Sequence, residues 1–91
     1  MAGRRVRVYT KEGCHLCERV ISSLEKLQVT QGFELVTEDI TRDSQIFERF
    51  KETIPVVEID GMIRLAGVAL SNPRTVDAAL QRALLSSSTA D

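Results

Sequence analysis

Residues 5–17 read RVRVYTKEGCHLC, and this stretch decides the fold. Its first half alternates valine with polar residues, which is typical of a β-strand with a buried face. Its second half brings Cys14 and Cys17, the only two cysteines of the 91 residues, to the start of a helical pattern. A C-x-x-C pair at a strand-to-helix junction indicates a redox dithiol rather than a structural disulfide.

The position of the pair explains why it predicts chemistry. A thiol in the first turn of a helix lies against unsatisfied backbone N–H groups and the positive end of the helix dipole. Both favour the thiolate, which is the nucleophile in disulfide exchange. A residue three positions further on lies on the same face of the helix. We therefore predict that Cys14 attacks a substrate disulfide and that Cys17 resolves the resulting mixed disulfide.

Composition limits the protein class. Ninety-one residues with 43% hydrophobic content supply one domain with one core. The net charge of −1 provides no attraction to nucleic acid or to an anionic membrane. No apolar stretch approaches a membrane span, and residues 1–5 lack the apolar region of a signal peptide. Two cysteines without an export signal favour a reducing compartment, so we predict a cytoplasmic protein. We also expect a monomer.

Hydrophobic spacing organises the first half of the chain. Apolar residues recur every three or four positions after the dithiol, which predicts a helix that ends near Gly32. A second strand follows at 33–38, and Thr41 is the predicted N-cap of a second helix. The predicted apolar faces are Leu16, Cys17, Val20, Ile21, Leu24 and Leu27 in the first helix, and Ile46, Phe47 and Phe50 in the second.

The second half predicts a hairpin and a final helix. A third strand at 54–59 contains Pro55, and the turn signal Asp60-Gly61 predicts antiparallel pairing with a fourth strand at 62–66. Asn72-Pro73 predicts the start of the last helix. Its predicted core residues are Val76, Ala79, Leu80, Ala83 and Leu84. We expect a domain at 4–85 and a disordered tail at 86–91. The order β-α-β-α-β-β-α predicts an α/β fold with a mixed four-stranded sheet flanked by helices on both faces.

This order, the dithiol placement and Pro55 together resemble the thioredoxin fold and, more narrowly, a glutaredoxin. Glutaredoxins place a lysine three residues before the first cysteine, where Lys11 stands here. They carry Thr-Val-Pro before the third strand, which 53–55 (TIP) resembles, and an Ile-Asp-Gly hairpin, which 59–61 repeats. The resemblance covers residues 6–85 and implies a thioredoxin-like fold with redox activity.

The chain departs from the glutaredoxin pattern in two places. The usual Pro-Tyr between the cysteines is replaced by His15-Leu16. Glutaredoxins also hold the γ-glutamyl end of glutathione with a Gly-Gly and a following Cys- or Ser-Asp pair. Here that segment is 65–70 (LAGVAL), with the single glycine Gly67 and no acidic residue. The chain thus resembles the glutaredoxin-like branch with a C-H-L-C motif. The difference favours a thioredoxin-reductase-type flavoprotein over glutathione as the reductant.

The resemblance also implies a set of substrate-binding residues. Pro55 is expected to be cis and to face the dithiol, with Thr53 flanking the groove. The N–H and C=O of Ile54 are expected to pair with an extended substrate backbone. Lys11 is expected to contact a glutathione carboxylate, and Gly67 to offer an N–H to the far end of the substrate. The alternatives are a solvated turn lysine and a turn glycine.

His15 leaves two interpretations open. As the only histidine, it lies next to Cys14 and can stabilise the thiolate by charge or by a hydrogen bond. It can equally be a solvent-facing residue of the first turn. A zinc site needs four ligands, whereas one chain offers only Cys14, Cys17 and His15. We therefore predict no metal site within one chain and no tightly bound cofactor.

Two function classes follow. The first is a thiol–disulfide oxidoreductase that reduces protein disulfides or glutathione-mixed disulfides, with glutathione or a flavoprotein as the reductant. The second is a binding module of the same fold, or a glutathione-bridged iron–sulfur carrier. A reversible disulfide indicates the first class, and colour or a glutathione-dependent dimer indicates the second.

Overall fold

The β-branched run after Arg4 forms the first strand of the computed structural model, which describes residues 4–72 and 74–88. Val6 and Val8 are fully buried and Arg5 is exposed, as their alternation predicts. The elements are β1 (Arg5–Thr10), α1 (His15–Gln31), β2 (Glu34–Asp39), α2 (Ser44–Phe50), β3 (Val56–Ile59), β4 (Met62–Ala66) and α3 (Val76–Ser88), with 3₁₀ turns at Ile40–Arg42 and Gly67–Leu70. The predicted order β-α-β-α-β-β-α is confirmed.

The four strands form one mixed sheet in the order β2-β1-β3-β4. β1 pairs in parallel with β2, and β3 is antiparallel to both β1 and β4. Val56 at the start of β3 lies opposite Tyr9 near the end of β1 and opposite Ala66 at the end of β4. The loop that carries the dithiol, the segment before β3 and the segment after β4 therefore leave the sheet at one edge.

The core lies in two clusters on opposite faces of the sheet. The larger cluster joins α1 and α3 to one face: Val6, Val8, Val20, Leu24, Phe33, Val57, Ile59, Leu70, Val76, Leu80 and Leu84. The smaller cluster contains Tyr9, Ile40, Phe50 and Val56, with Ile46 and Phe47 packed against it. The rings of Tyr9 and Phe50 lie 4.6 Å apart. The prediction of helices on both faces is confirmed.

The two predicted glycine positions occur where the sequence placed them, one at the end of α1 and one in the turn between β3 and β4. Gly32 adopts a left-handed conformation as the C-cap of α1, and its N–H donates to the Gln28 carbonyl at 2.8 Å. Asp60 and Gly61 both have positive φ, at 50° and 87°, which matches the twist of a two-residue hairpin. The predicted hairpin and its fourth strand at 62–66 are confirmed.

The N-cap of α2 differs from the prediction. Asp43, not Thr41, caps the helix, because its Oδ1 accepts from the N–H groups of Gln45 at 2.9 Å and Ile46 at 3.2 Å. Thr41 lies in the preceding 3₁₀ turn. An aspartate satisfies two of the unpaired N–H groups at a helix start. The third strand also begins at Val56, two residues later than predicted.

The ends of α3 also differ from the prediction. The Asn72 side chain accepts from the Arg74 N–H at 2.9 Å, and the α-helix starts at Val76; the predicted Pro73 lies outside the described residues. The helix continues to Ser88 and so extends into the predicted tail at 86–91. Residues 89–91 lie outside the described part of the chain. Across the described ranges, no helix is long and apolar enough to span a membrane.

Candidate active site

The two cysteines lie at the N-terminus of α1, joined by a disulfide bond. Cys14 is the N-cap in extended conformation, and Cys17 lies in the first turn with its Cα 5.2 Å from that of Cys14. The turn before the helix is closed by the Cys14 N–H, which donates to the Lys11 carbonyl at 3.2 Å. Local sequence alone, a short turn followed by an amphipathic helix, is enough to produce this placement.

The environment of the two sulfur atoms is asymmetric. Cys14 is half-buried, whereas Cys17 is fully buried within the protein. The backbone N–H of Cys17 donates to Cys14 Sγ at 3.0 Å, as an N-cap acceptor requires. An external group can therefore reach Cys14, and Cys17 is reached through Cys14. The same N–H points to the atom on which a thiolate charge would develop.

His15 extends away into solvent. Its side chain is 96% exposed, and its Nδ1 lies 3.8 Å from Oε1 of Glu18, one turn further along α1. The i,i+3 spacing of His15 and Glu18 was the available sequence signal for this pair. The stabilisation of the Cys14 thiolate by His15 stays a prediction. The structure shows in addition that the Glu18 carboxylate lies next to the imidazole.

The segment before β3 is hydrogen-bonded to the end of α2. The N–H groups of Thr53 and Ile54 donate to the Phe50 carbonyl at 2.9 Å and 3.1 Å, and the Thr53 hydroxyl donates to it at 3.3 Å. The Ile54–Pro55 peptide bond is cis, as the resemblance implied, and Pro55 is buried. The Ile54 N–H, which was expected to pair with a substrate backbone, is thus bonded to Phe50, and the binding roles of the Ile54 N–H and carbonyl stay predictions.

Gly67 is tied to the same segment. Its N–H, expected to bind substrate, donates instead to the Pro55 carbonyl at 2.9 Å. Its φ is +47°, and a Cβ on it would lie 3.1 Å from the Thr53 carbonyl oxygen. Both observations favour the alternative interpretation of Gly67 as a turn glycine, required here by conformation and by close packing.

The predicted residues share one edge of the sheet in two groups. Lys11 is exposed in the turn that precedes Cys14. In the second group, the Gly67 N–H donates to the Pro55 carbonyl, and Gly67 lies close to the Thr53 backbone. The register that places Tyr9 opposite Val56 brings both groups to the same edge.

A carboxylate that no sequence motif singled out also lies at this edge. Asp39 ends β2 opposite Thr10, the last residue of β1. Its Oδ1 accepts from the Thr41 hydroxyl at 2.7 Å and the Thr41 N–H at 2.9 Å. These hydrogen bonds, with a smaller contribution from Arg42, hold the pKa of Asp39 below its ordinary value. The Asp-x-Thr spacing was the sequence signal for such a turn.

Metal ligands do not cluster in the part of the chain that the structure describes. Residues 4–72 and 74–88 contain no group of three or more histidine, cysteine, aspartate or glutamate side chains suited to hold an ion. The arrangement at this edge is suited instead to sulfur exchange, because a half-buried cysteine is bonded to a fully buried one at a helix N-terminus.

Sequence comparison finds one family and several relatives. The family model described as glutaredoxin-like domain (DUF836) matches residues 5–85. The uncharacterized protein Rv0508 of Mycobacterium tuberculosis (strain ATCC 25618 / H37Rv) is 32% identical over 66 residues, which cover 67% of this chain and 68% of that protein. The uncharacterized protein Mb0520 of Mycobacterium bovis matches with the same identity and coverage.

Structural comparison finds thioredoxin-fold neighbours. The solution structure of protein Ne2328 from Nitrosomonas europaea has a TM-score of 0.66 at 30% identity, covering 75% of this chain and 82% of that one. Oxidised mitochondrial thioredoxin 3 from Saccharomyces cerevisiae has a TM-score of 0.58 at 17% identity, covering 90% and 80%. The predicted thioredoxin-like α/β fold is thus confirmed.

Proposed function

This chain belongs to the glutaredoxin-like domain family (DUF836), and we propose that it is a thiol–disulfide oxidoreductase acting on protein disulfides. One observation carries the proposal: a half-buried Cys14 at the N-cap of α1 is disulfide-bonded to a fully buried Cys17. Two inert structural thiols would have no reason to occupy a helix N-terminus with one sulfur accessible.

The proposed reaction moves two electrons in two exchange steps. The Cys14 thiolate attacks one sulfur of the substrate disulfide, forms a mixed disulfide and releases the first substrate thiolate. The Cys17 thiolate then attacks Cys14 Sγ and releases the second substrate thiolate. Both released thiolates take protons from solvent. The substrate disulfide is reduced to two thiols, and the protein is left with the Cys14–Cys17 disulfide.

The chain's own groups favour this sequence of events. The Cys17 N–H, 3.0 Å from Cys14 Sγ, would stabilise a thiolate there, together with the positive end of the α1 dipole. Burial disfavours a charge on Cys17, which leaves Cys14 as the first nucleophile. Nucleophile and resolving thiol therefore differ in environment although they are chemically identical.

Substrate docking is proposed at the Ile54 carbonyl. The Ile54 N–H is bonded to Phe50, so an extended substrate would donate one backbone N–H to this carbonyl rather than form a paired ladder. Thr53 is exposed beside it, and Lys11 is exposed beside the dithiol. A docking contact made through main-chain atoms would accept many protein sequences.

The reductant that we propose is a thioredoxin-reductase-type flavoprotein, with glutathione as the competing donor. The Gly67 N–H donates to Pro55, which removes one backbone donor expected for glutathione. No acidic residue follows Gly67 in 67–70 (GVAL). We propose a monomer, because the exchange uses only the two cysteines of one chain. We propose the cytoplasm, because a reducing compartment keeps such a pair active.

The first test is the redox equilibrium of the Cys14–Cys17 pair in graded glutathione buffers, read by mass spectrometry. An intramolecular disulfide as the only oxidised species supports reduction of protein disulfides by a flavoprotein. A stable glutathione adduct on Cys14 beside the disulfide would make glutathione the reductant. If no disulfide forms in any buffer, the oxidoreductase proposal fails.

The competing function is a binding module or a glutathione-bridged iron–sulfur carrier. Two cysteines per chain would hold such a cluster only with a second chain or glutathione thiols. Anaerobic incubation with iron, sulfide and glutathione distinguishes the two functions. Visible colour with a dimer by gel filtration would favour the carrier, and a colourless monomer leaves the oxidoreductase.

A further inference from the structure

A second surface, whose lining includes neither cysteine, lies between β4 and α3. It is a shallow groove whose floor is apolar and whose rim carries two arginines: Arg64, Leu65, Ala69, Ala79, Arg82 and Ala83. On α3, Ala79 and Ala83 are one turn apart, and their small side chains leave room above the helix. We call these six residues the β4–α3 groove.

A β-bulge explains how Arg64 comes to line this groove. Ile63 lies opposite Glu58 and Leu65 lies opposite Val57, so Arg64 is an extra residue between two paired positions. Consecutive residues of a regular strand point to opposite faces, whereas Arg64 and Leu65 line the same groove. Bulges redirect side chains in this manner and recur next to functional sites.

The two arginines of the groove differ from those at the start of β1. Arg4, Arg5 and Arg7 each lie within 4.0 Å of a carboxylate. In the ranges 4–72 and 74–88, neither Arg64 nor Arg82 forms such an ion pair; Arg64 Nη2 lies 3.8 Å from the Met62 sulfur. The groove thus holds two cations that no carboxylate of the described chain neutralises.

The segment that forms the groove has a net positive charge, whereas the whole chain has a net negative charge. Residues 62–85 contain three arginines against one aspartate, whereas the full chain has a net charge of −1. The apolar surface also extends beyond the groove. Met62 is 57% exposed and lies opposite Ile59, whose side chain belongs to the same sheet face as Leu65. Such a surface exceeds what a single small anion would cover.

We propose that the β4–α3 groove binds an acidic, amphipathic peptide segment of a partner protein. Its carboxylates would pair with Arg64 and Arg82, and its aliphatic side chains would cover Leu65, Ala79 and Ala83. A second copy of this chain is disfavoured as the occupant. Arg64 is the middle residue of β4, so antiparallel pairing of two β4 edges would oppose like charges.

The test is a titration of the ¹⁵N-labelled full chain with blocked peptides, followed by backbone amide shifts. One peptide alternates glutamate with valine, and its counterpart carries lysine for glutamate. We expect the acidic peptide to shift the amides of β4 and α3, the lysine peptide to bind far more weakly, and salt to reduce acidic-peptide binding. Equal binding of the two peptides, or shifts confined to other surfaces, would overturn the proposal.

Two double variants identify the site. Arg64→Gln with Arg82→Gln removes both rim charges, and we expect about tenfold weaker binding of the acidic peptide. Arg19→Gln with Lys26→Gln removes the same net charge from the exposed surface of α1 and should leave binding unchanged. If the two double variants lost the same amount of acidic-peptide binding, the interaction would depend only on net charge, and binding at the β4–α3 groove would be refuted.

The oligomeric state and the redox activity complete the test. If Arg64→Gln with Arg82→Gln produces tighter dimers in sedimentation while the wild type binds no acidic peptide, the occupant is a second copy and the proposal fails. Reduction of a small disulfide substrate should be the same in both double variants. Peptide binding therefore tests the groove proposal, and disulfide reduction tests the dithiol proposal.

Discussion

Solvent access distinguishes the two cysteines at the scale of single residues. Cys14 is half-buried and its Sγ accepts a hydrogen bond from the Cys17 backbone, while Cys17 is fully buried. A thiol that substrate can reach is the one that forms an intermolecular bond first. Serine variants at the two positions should therefore behave differently, although each removes one sulfur.

We expect Cys17→Ser to trap a mixed disulfide and Cys14→Ser to trap none. In Cys17→Ser, Cys14 still attacks an oxidised peptide substrate, but no internal thiol releases it. Mass spectrometry of each variant after mixing with the substrate measures the adduct, and the wild type serves as the control that turns over. Adducts of equal yield in both variants would contradict the assigned roles.

His15→Ala should raise the pKa of the Cys14 thiol if the imidazole stabilises the thiolate. The measurement is the ultraviolet absorbance of the thiolate as a function of pH in the reduced protein. Glu18→Gln is the matched variant, because it removes the carboxylate 3.8 Å from His15 without touching the imidazole. An identical titration of Cys14 in wild type and His15→Ala would remove His15 from the mechanism.

Gly67→Ala should destabilise the fold more than Gly61→Ala. Both positions have positive φ, where an alanine costs about 1–2 kcal/mol. Only at Gly67 would the new Cβ also lie 3.1 Å from the Thr53 carbonyl oxygen; at Gly61 nothing lies within 4 Å. Urea unfolding of the two variants measures the difference. Equal losses of unfolding free energy would show that the Thr53 contact is unimportant.

At the scale of elements, side chains of aspartate organise the connection from β2 to α2. Asp39 closes the 3₁₀ turn by accepting from Thr41, and Asp43 caps α2 by accepting from Gln45 and Ile46. Each carboxylate satisfies backbone N–H groups that the short helices leave unpaired. The connection therefore carries its own hydrogen bonds in addition to the burial of Ile40 in the smaller core cluster.

Thr41→Val should raise the pKa of Asp39 toward its ordinary value of 3.8, because the largest cause of the lowering is the Thr41 hydroxyl. A lowered pKa in the folded protein means that the ionised carboxylate stabilises the fold. This stabilisation is present above pH 3.8 and is lost as the pH falls through the lower folded pKa. Carboxyl NMR titration of Asp39 in wild type and variant measures it. An unchanged midpoint in Thr41→Val would exclude the hydroxyl as the cause.

At the scale of the whole molecule, the larger core cluster determines stability. α1 and α3 cover one face of the sheet, and α3 contributes Val76, Leu80 and Leu84. Arg4 links the start of β1 to the end of the same helix, since its Nη1 donates to the Leu84 carbonyl at 2.6 Å. The last helix is therefore an integral part of the domain.

Leu84→Ala should lower the free energy of unfolding by about 2–5 kcal/mol, because the fully buried side chain would leave a cavity. Leu85→Ala, at the neighbouring residue with 57% exposure, should change it by about 0.5 kcal/mol or less. Chemical denaturation of both variants provides the comparison. A loss at Leu85 as large as that at Leu84 would contradict the assigned orientation of α3.

The local sequence pattern was sufficient to predict most secondary-structure elements and the pairing of the two cysteines. The spacing of Val6 and Val8, the stripe of α1, Gly32 and Asp60-Gly61 each act through neighbouring residues, so the sequence by itself determined strand, helix, cap and hairpin. The Cys14–Cys17 spacing likewise determined which sulfurs meet, because three positions along a helix bring side chains to one face.

Contacts between distant segments were decided only by the tertiary structure. The Gly67 N–H is bound by the carbonyl of Pro55, which precedes β3, and no local pattern reveals that this donor will meet that acceptor. The bulge at Arg64 arises from the register in which β3 pairs with β4. Sequence records periodicity along the chain, whereas hydrogen-bond partners and register depend on how separate strands are brought together.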